Sequence, residues 1–415
     1  MKPETVGMSS ARLMRLDEAM TRRYVDSGWL PGMLTYVWRR GQLVHTGLAG
    51  QMDIERGKAM REDAIFRIYS MSKPITAVAL MMLVEEGLIG LDDFVHAHIP
   101  EWKDLAVYAS GTPSVLPEGR GGYLTTPVQR PMKVIDLATH TSGLTYGFMM
   151  RSAVDAAYRR AKVADRQTPG GLDGMIGQLA QIPLDFSPGT AWNYSVAIDV
   201  LGYLVEKLSG MKFGEFLRKR LFEPLGMNDS AFWVPEDKTE RFTACYQPEG
   251  RALKVQDDPR ESAYAQPPLL ESGGGGLVAT AHDYLRFCRM MLNGGMLDGV
   301  QILSPKTVAL FSLNFLPGNR EIVDMSFPGM FSESDYAGVG FSLGCGVNVD
   351  VAKMRQPGTL GAYAWGGAAA TAFWIDPREE LTVVFMTQVI GSEARLTLRR
   401  DLRTLVYSAM TESFA

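Results

Sequence analysis

The stretch Phe66-Arg67-Ile68-Tyr69-Ser70-Met71-Ser72-Lys73-Pro74-Ile75-Thr76-Ala77-Val78-Ala79-Leu80 decides how this chain is read. Its first four residues read as a short strand, and the residues from Ile75 read as an apolar helix. Residues i and i+3 share a helix face, so the Ser70 hydroxyl and the Lys73 amine are expected to point into the same space. Ser70 falls where the helix begins, and free backbone N–H groups there favour developing negative charge. A serine is a weak nucleophile until a base takes its proton. A lysine becomes that base when burial and a cationic environment lower its pKa. Pro74 fits, because a first helical turn tolerates a missing N–H. The competing reading is an N-cap serine beside a solvated lysine.

Upstream, Ser9 and Ser10 precede a helical pattern, Leu13, Leu16, Met20, Tyr24, that ends near Gly28. Gly32–Trp38 and Leu43–Thr46 flank Arg39-Arg40-Gly41-Gln42, a hairpin signal. Downstream, the Ser70 helix stops near Gly87. Residues from about 96 to 270 carry no strong strand pattern. Val134–Ala138, Asp173–Ala180, Val196–Leu208 and Phe213–Phe222 read as helices separated by Gly- and Pro-rich loops. After Ser272-Gly273-Gly274-Gly275-Gly276 come a helix from Ala279 to Leu292 and then strands over Gly338–Val349, Ala370–Ile375 and Leu381–Thr387. A closing helix is expected from about Glu393 to Met410. The order predicts an α/β (α+β) two-lobe fold. Residues 1–95 and 270–415 would form an α/β lobe from both chain ends. Residues 96–269 would form an inserted, mostly helical lobe, with the site between the two.

At 415 residues, 46% of them hydrophobic, the chain has enough apolar surface for such cores. Its net charge of −4 and the lack of any Lys/Arg run argue against nucleic acid as a partner. Cys245, Cys288 and Cys345 are odd in number and far apart, with no metal-ligand spacing, which fits a reducing compartment. No secretory h-region follows Met1, and the longest apolar run is too short to span a bilayer. The expectation is a cytoplasmic protein with no membrane partner, either a monomer or a homodimer. His96-Ala97-His98 reads as polar surface near Pro100 rather than as a metal site.

Two serines imitate the motif. Ser209-Gly210-Met211-Lys212 repeats the spacing, but Gly210 marks a helix end, where the dipole opposes an oxyanion. Gly340-Phe341-Ser342-Leu343-Gly344 matches a nucleophile elbow, yet the last histidine, His282, precedes it and Cys345–Val349 continues as strand. Trp192-Asn193-Tyr194-Ser195-Val196 places a phenol between a loop and a helix. Near an ammonium it can serve as acid or base, or it can be a half-buried tyrosine with one satisfied hydroxyl. In Tyr363-Ala364-Trp365-Gly366-Gly367-Ala368, two glycines would let a substrate approach a strand edge that offers an N–H to an oxyanion. The alternative is a bulge, or a helix packed tightly over the glycines. His140, among Thr139, Thr141 and Ser142, reads as a structural histidine.

Taken in order, these pieces resemble the serine β-lactamase and penicillin-binding-protein superfamily, and most of all the class C-like family VIII carboxylesterases. The resemblance rests on Ser70-Met71-Ser72-Lys73, Leu137–Leu144, Tyr194-Ser195-Val196, Leu221–Met227, Ser272–Leu277 and Trp365-Gly366-Gly367. It implies an antiparallel sheet flanked by helices plus a helical lobe. It implies Ser70 as nucleophile, Lys73 as base or proton relay and Tyr194 as proton shuttle. The oxyanion hole would be the N–H groups of Ser70 and Ala368, and no metal or organic cofactor is required. Two departures bear on substrate. No Lys-Thr-Gly or Lys-Ser-Gly occurs, and Trp365 stands where the penicillin-recognising members carry a cation for the substrate carboxylate. Val196 replaces an asparagine and cannot hydrogen-bond a substrate amide. Both favour a small-molecule ester of short acyl chain, with Trp365, Gly366, Gly367, Tyr146, Trp192, Val196 and Phe148 around it. β-Lactamase or D-Ala-D-Ala carboxypeptidase activity, acyl transfer to an alcohol, and a non-catalytic sensor are the rival readings.

Overall fold

The turn at Arg40-Gly41 starts the main sheet. Gly32–Arg39 and Gln42–Asp53 form its first hairpin. The computed structural model describes residues 2–111, 122–250, 252–327, 336–392 and 395–414. The sheet has eight strands, in the spatial order Val339–Phe341, Gly346–Asn348, Tyr363–Gly366, Ala372–Asp376, Leu381–Met386, Gly32–Arg39, Gln42–Asp53, Lys58–Ala59. Each neighbouring pair is antiparallel. The strand from the N-terminal hairpin therefore pairs with one near the other end of the chain, Leu34 opposite Met386.

Alternation along that central strand sorts its side chains between two cores. Leu34 and Tyr36 join the core that contains Ile75, Val78 and the rest of the Ser70 helix. Met33 and Val37 join a second core made with Leu13, Leu16 and Met20 at one end of the chain and Leu398, Leu402 and Val406 at the other. The Ser10–Met20 helix is capped by Ser9, whose Oγ accepts from the Arg12 N–H at 3.4 Å. The closing helix is Arg395–Ser408; Glu393, its expected start, lies outside the described residues.

Between these parts run the expected helices Val134–Ala138, Gly171–Leu179, Ala197–Ser209 and Phe213–Leu217, the last continued by a π-helical turn, Arg218–Phe222. The block also departs from the helical reading. Ala153–Ala161 is an additional helix, Val107–Ser110 pairs with Leu124–Thr126, and Cys245–Glu249 pairs with Ala252–Asp257. The last hairpin reaches out of the block: the Tyr246 N–H donates to the Gln388 carbonyl at 3.0 Å. The single strand expected over Gly338–Val349 is instead two, Val339–Phe341 and Gly346–Asn348, with Ser342 in the turn between them. Ser342 is fully buried and its Oγ donates to the Leu310 carbonyl at 3.2 Å, so it is no elbow nucleophile. Ser209 closes its helix, with Gly210 in the left-handed region behind it.

Candidate active site

Ile65–Arg67 is a three-residue strand paired with Val278–Thr280. It delivers the chain into a 3-10 turn, Tyr69–Met71, and then the helix Ser72–Glu85. Ser70 thus lies two residues before the α-helix proper, in the 3-10 turn that leads into it. Tyr69, just before it, has φ = +43°, in the left-handed region, a conformation that side chains other than glycine adopt at a cost. The helix is buried from Ser72 to Leu83. Burial on that scale takes Lys73 inside with the rest of the turn, and its side chain is fully covered.

The Lys73 ammonium donates to Ser70 Oγ at 3.3 Å and to the Gly274 carbonyl at 2.6 Å. Its Nζ also sits 4.3 Å from the centre of the Tyr194 ring. Burial pushes its pKa down to about 7, and the negative charge of Asp199 acts in the opposite direction. Ser70 therefore has a partner that is substantially neutral at physiological pH. Asp199 is buried, with one oxygen held by Ser272 Oγ and by the Gly274 N–H at 3.0 Å. Gly274 thus meets the carboxylate through its N–H and the amine through its carbonyl. The glycine run straps the helix start elsewhere too. Thr76 Oγ1 donates to the Gly273 carbonyl at 2.8 Å, and the Leu277 N–H donates to Ser72 Oγ at 3.2 Å.

Tyr194 is 2% exposed, and burial raises its pKa well above the usual phenol value. Hydrogen bonds from Ser70 and Trp365 pull the other way. The Trp365 indole N–H donates to the Tyr194 oxygen at 3.2 Å. The phenol therefore keeps its proton at neutral pH. His140 packs behind it, ring centres 4.8 Å apart, with Nδ1 on Ser195 Oγ at 3.1 Å. Burial, and then the nearby Lys73, hold the His140 pKa well below its ordinary value.

Trp365-Gly366-Gly367 ends the Tyr363–Gly366 strand beside the Ser70 turn. Crowding explains both glycines. A Cβ on Gly366 would lie 2.2 Å from Arg399 Nη2 of the closing helix, and one on Gly367 would lie 2.6 Å from the Ile68 carbonyl oxygen. The tight-packing alternative therefore accounts for Gly366, and close approach of the Ser70 segment accounts for Gly367. Arg399 also donates to the carbonyls of Gly367 at 2.9 Å and Thr371 at 2.7 Å, fixing the turn that carries Ala368.

These residues border one cavity of about 1700 Å³, lined by Ser70, Tyr146, Phe148, Tyr194, Asp199 and Trp365–Ala368 among others. Tyr146 and Phe148 stack with ring centres 4.6 Å apart. Trp192 and Val196, expected on the pocket wall, are not on it. At 1% and 0% exposure they lie in the core, with Trp192 stacked on Tyr194 from behind. Asp199 and Arg399 joined the site without being read from sequence, and Ser272 and Gly274 were read only as part of the glycine-rich motif, with no site role. Asp199 left one signal, a lone acid in the apolar helix Ala197-Ile198-Asp199-Val200-Leu201. Among the described residues no cluster of His, Cys, Asp or Glu could hold a metal ion, and no helix is long and apolar enough to cross a membrane.

The antiparallel sheet flanked by helices is that of a β-lactamase-like fold, and the beta-lactamase family model matches residues 18–408. The chain belongs to that family. Protein Rv1367c of Mycobacterium tuberculosis (strain ATCC 25618 / H37Rv) is 36% identical over 382 residues, covering 90% of each chain. Esterase EstB of Burkholderia gladioli is 29% identical over 428 residues, covering 98% of each. Among solved structures, EstCE1, described as a hydrolase with promiscuous acyltransferase activity, superposes with a TM-score of 0.77. It is 25% identical, over 96% of this chain and 99% of the other.

Proposed function

We propose that this β-lactamase-fold hydrolase is a serine carboxylesterase acting on short-chain esters through an acyl-enzyme on Ser70. One observation carries the reading: a fully buried Lys73, its pKa near 7, within 3.3 Å of the Ser70 hydroxyl. Neutral Lys73 takes the Ser70 proton as Oγ attacks the ester carbonyl carbon. The backbone N–H groups of Ser70 and Ala368 hold the carbonyl oxygen as it becomes negative. The bond from carbon to the alcohol oxygen then breaks. Tyr194, protonated at neutral pH, gives that oxygen its proton and is reprotonated from Lys73. Water repeats the sequence against the acyl-enzyme and frees the acid. The similarity to EstB, named an esterase, supports the choice of ester. So does Trp365, an uncharged ring at the site where a cation would select a carboxylate.

Acyl transfer to an alcohol is the second reading, favoured by the description of EstCE1. It shares every step but the last, in which an alcohol replaces water. The test is a panel of p-nitrophenyl butyrate, nitrocefin and ampicillin, with Ser70→Ala as control and product analysis with and without added alcohol. Rapid ester turnover that disappears in Ser70→Ala supports the proposal. Equal butyrate hydrolysis by Ser70→Ala refutes it, and nitrocefin turned over far faster than esters replaces it with β-lactam hydrolysis. A fluorophosphonate that fails to label Ser70 would favour a non-catalytic role.

A further inference from the structure

The cavity that holds Ser70 does not end at the Trp365 strand. It continues to the opposite face of the sheet, where Asn348, Trp374 and Arg403 line it beneath the closing helix. Alternation along the strands explains the two faces. Trp365 and Phe373 face the core of the Ser70 helix, while Ala364, Ala372 and Trp374 face the other.

Arg403 is 9% exposed, and its Nη1 has no hydrogen-bond partner among the described residues. Trp374 is 3% exposed, and its indole N–H is likewise without a partner among the described residues. The guanidinium lies 5.5 Å from the Trp374 ring centre. A third donor stands alongside. A Cβ on Gly358 would touch both Asn348 Nδ2, at 3.2 Å, and Arg403 Nη1, at 3.4 Å. The Asn348 amide N–H₂ already donates to the Thr359 carbonyl at 3.0 Å, with a second hydrogen in hand. The carboxylate that acts on Arg403 is Asp376, which is committed elsewhere. Its oxygens accept from Tyr407 Oη at 2.7 Å and from the Glu379 N–H at 3.2 Å. Of the neighbouring cations, Lys353 pairs with Glu321 at 2.5 Å, and Arg399 spends Nη2 on two carbonyls. A buried guanidinium Nη1 and a buried indole N–H on one cavity wall, both without a partner among the described residues, are costly unless something supplies acceptors.

We propose that this outer end of the cavity is an anion-binding site, taking the carboxylate or phosphate of a ligand through Arg403, Trp374 and Asn348. Arginine forks around both groups, and its fixed positive charge disfavours a cation. The site lies on the other face of the sheet from the aromatic wall at Ser70, on the same cavity, so a ligand held there through its acid group would border the ester site. That link to turnover rests on the acyl-transfer reading of Ser70; the anion site itself does not.

The experiment separates the two by reading binding alone, on the full chain carrying Ser70→Ala. Inorganic phosphate and succinate are titrated separately by calorimetry at low salt, and the stronger ligand names the acid. The expected result is saturable binding of at least one, weakened about tenfold or more by an added Arg403→Gln and partly restored by Arg403→Lys. Trp374→Phe, which keeps the charge and the ring, is expected to weaken it as well. Absence of saturable binding by either anion overturns the proposal. So does unaltered affinity in Arg403→Gln. If that variant does not fold, unaltered affinity in Trp374→Phe overturns it instead.

Discussion

Trp365→Phe removes one hydrogen bond and part of a buried ring while keeping an aromatic side chain in place. The indole N–H donates to the Tyr194 oxygen at 3.2 Å, and the two rings lie 5.7 Å apart. A phenylalanine keeps an aromatic face towards Tyr336 and Phe341, the other rings on Trp365. As Tyr194 gives up its proton to the leaving alcohol, its oxygen gains negative charge and the bond strengthens. Hydrogen bonds to charged groups contribute about 1.5–3 kcal/mol and neutral ones about 1 kcal/mol. A distance of 3.2 Å is at the long end for N–H···O, which points to the lower part of that span, about 1–2 kcal/mol. At 1.36 kcal/mol per decade, kcat should fall by about 5- to 30-fold. KM for a small neutral ester should move much less, because the lost stabilisation belongs to the transition state. The donation also lowers the Tyr194 pKa, so its loss should move any alkaline limb upward in pH, never downward. The assay is steady-state hydrolysis of p-nitrophenyl butyrate across pH, with thermal unfolding as a check on folding. A folded variant whose kcat stays within about twofold of wild type refutes the reasoning, as does a loss confined to KM.

Other outcomes follow from the same geometry. With the Lys73 pKa at about 7, kcat/KM for a neutral ester should rise as pH climbs through that value and then level off. The unfolded lysine holds its proton up to about 10.5, so the buried group opposes folding most below about pH 7 and not at all above 10.5; urea unfolding across pH reads this. Asp199 raises the Lys73 pKa, so Asp199→Asn should move the acid limb of the pH–rate profile to lower pH; a shift to higher pH would contradict the assignment. Gly274→Ala would set a Cβ 2.5 Å from Asp199 Oδ2 and 2.8 Å from Tyr146 Oη. That overpacking should cost about 1–3 kcal/mol in denaturant unfolding and displace the carbonyl that holds Lys73, so kcat should fall with it. Arg67 is fully buried, bonded to Asp257 at 2.6 Å and to the Thr243 carbonyl at 2.7 Å; Arg67→Ala should therefore lose about 3–5 kcal/mol, measured the same way.

Periodic segments were legible in the sequence because one rule governs each. Leu13, Leu16 and Met20 repeat at helical spacing, and the Arg40-Gly41 turn joins two alternating runs. What escaped was set by partners distant in the chain. The Cys245–Glu249 strand is short and ends in Pro248 and Glu249, and nothing local marks it as sheet. The Ala153–Ala161 helix did announce itself, through Ser152 and Asp155 at capping-box spacing. At the site, Ser70, Lys73 and Tyr194 were readable from spacing and family pattern. Trp192 and Val196, each two residues from Tyr194, were placed on the wall, but the fold packs both side chains into the core. Asp199 and Gly274 could not be paired with Lys73 without the fold. Arg399 reaches the Gly366-Gly367 segment from a different element altogether.

The central strand pair, Leu34 opposite Met386, joins residues made some 350 positions apart. At ribosomal speeds of about 5–20 residues per second, the hairpin at Gly32–Asp53 waits roughly 20–70 s for the strand that covers its open side. For that interval Gly32–Arg39, with Met33, Leu34, Tyr36 and Val37 along it, presents an unpaired edge of apolar side chains. A nascent chain in that state is a template for wrong strand partners, including another copy of itself. Production of this protein is therefore most exposed to aggregation during synthesis. Slower translation lengthens that exposure, and holdase chaperones present during synthesis should raise the soluble yield.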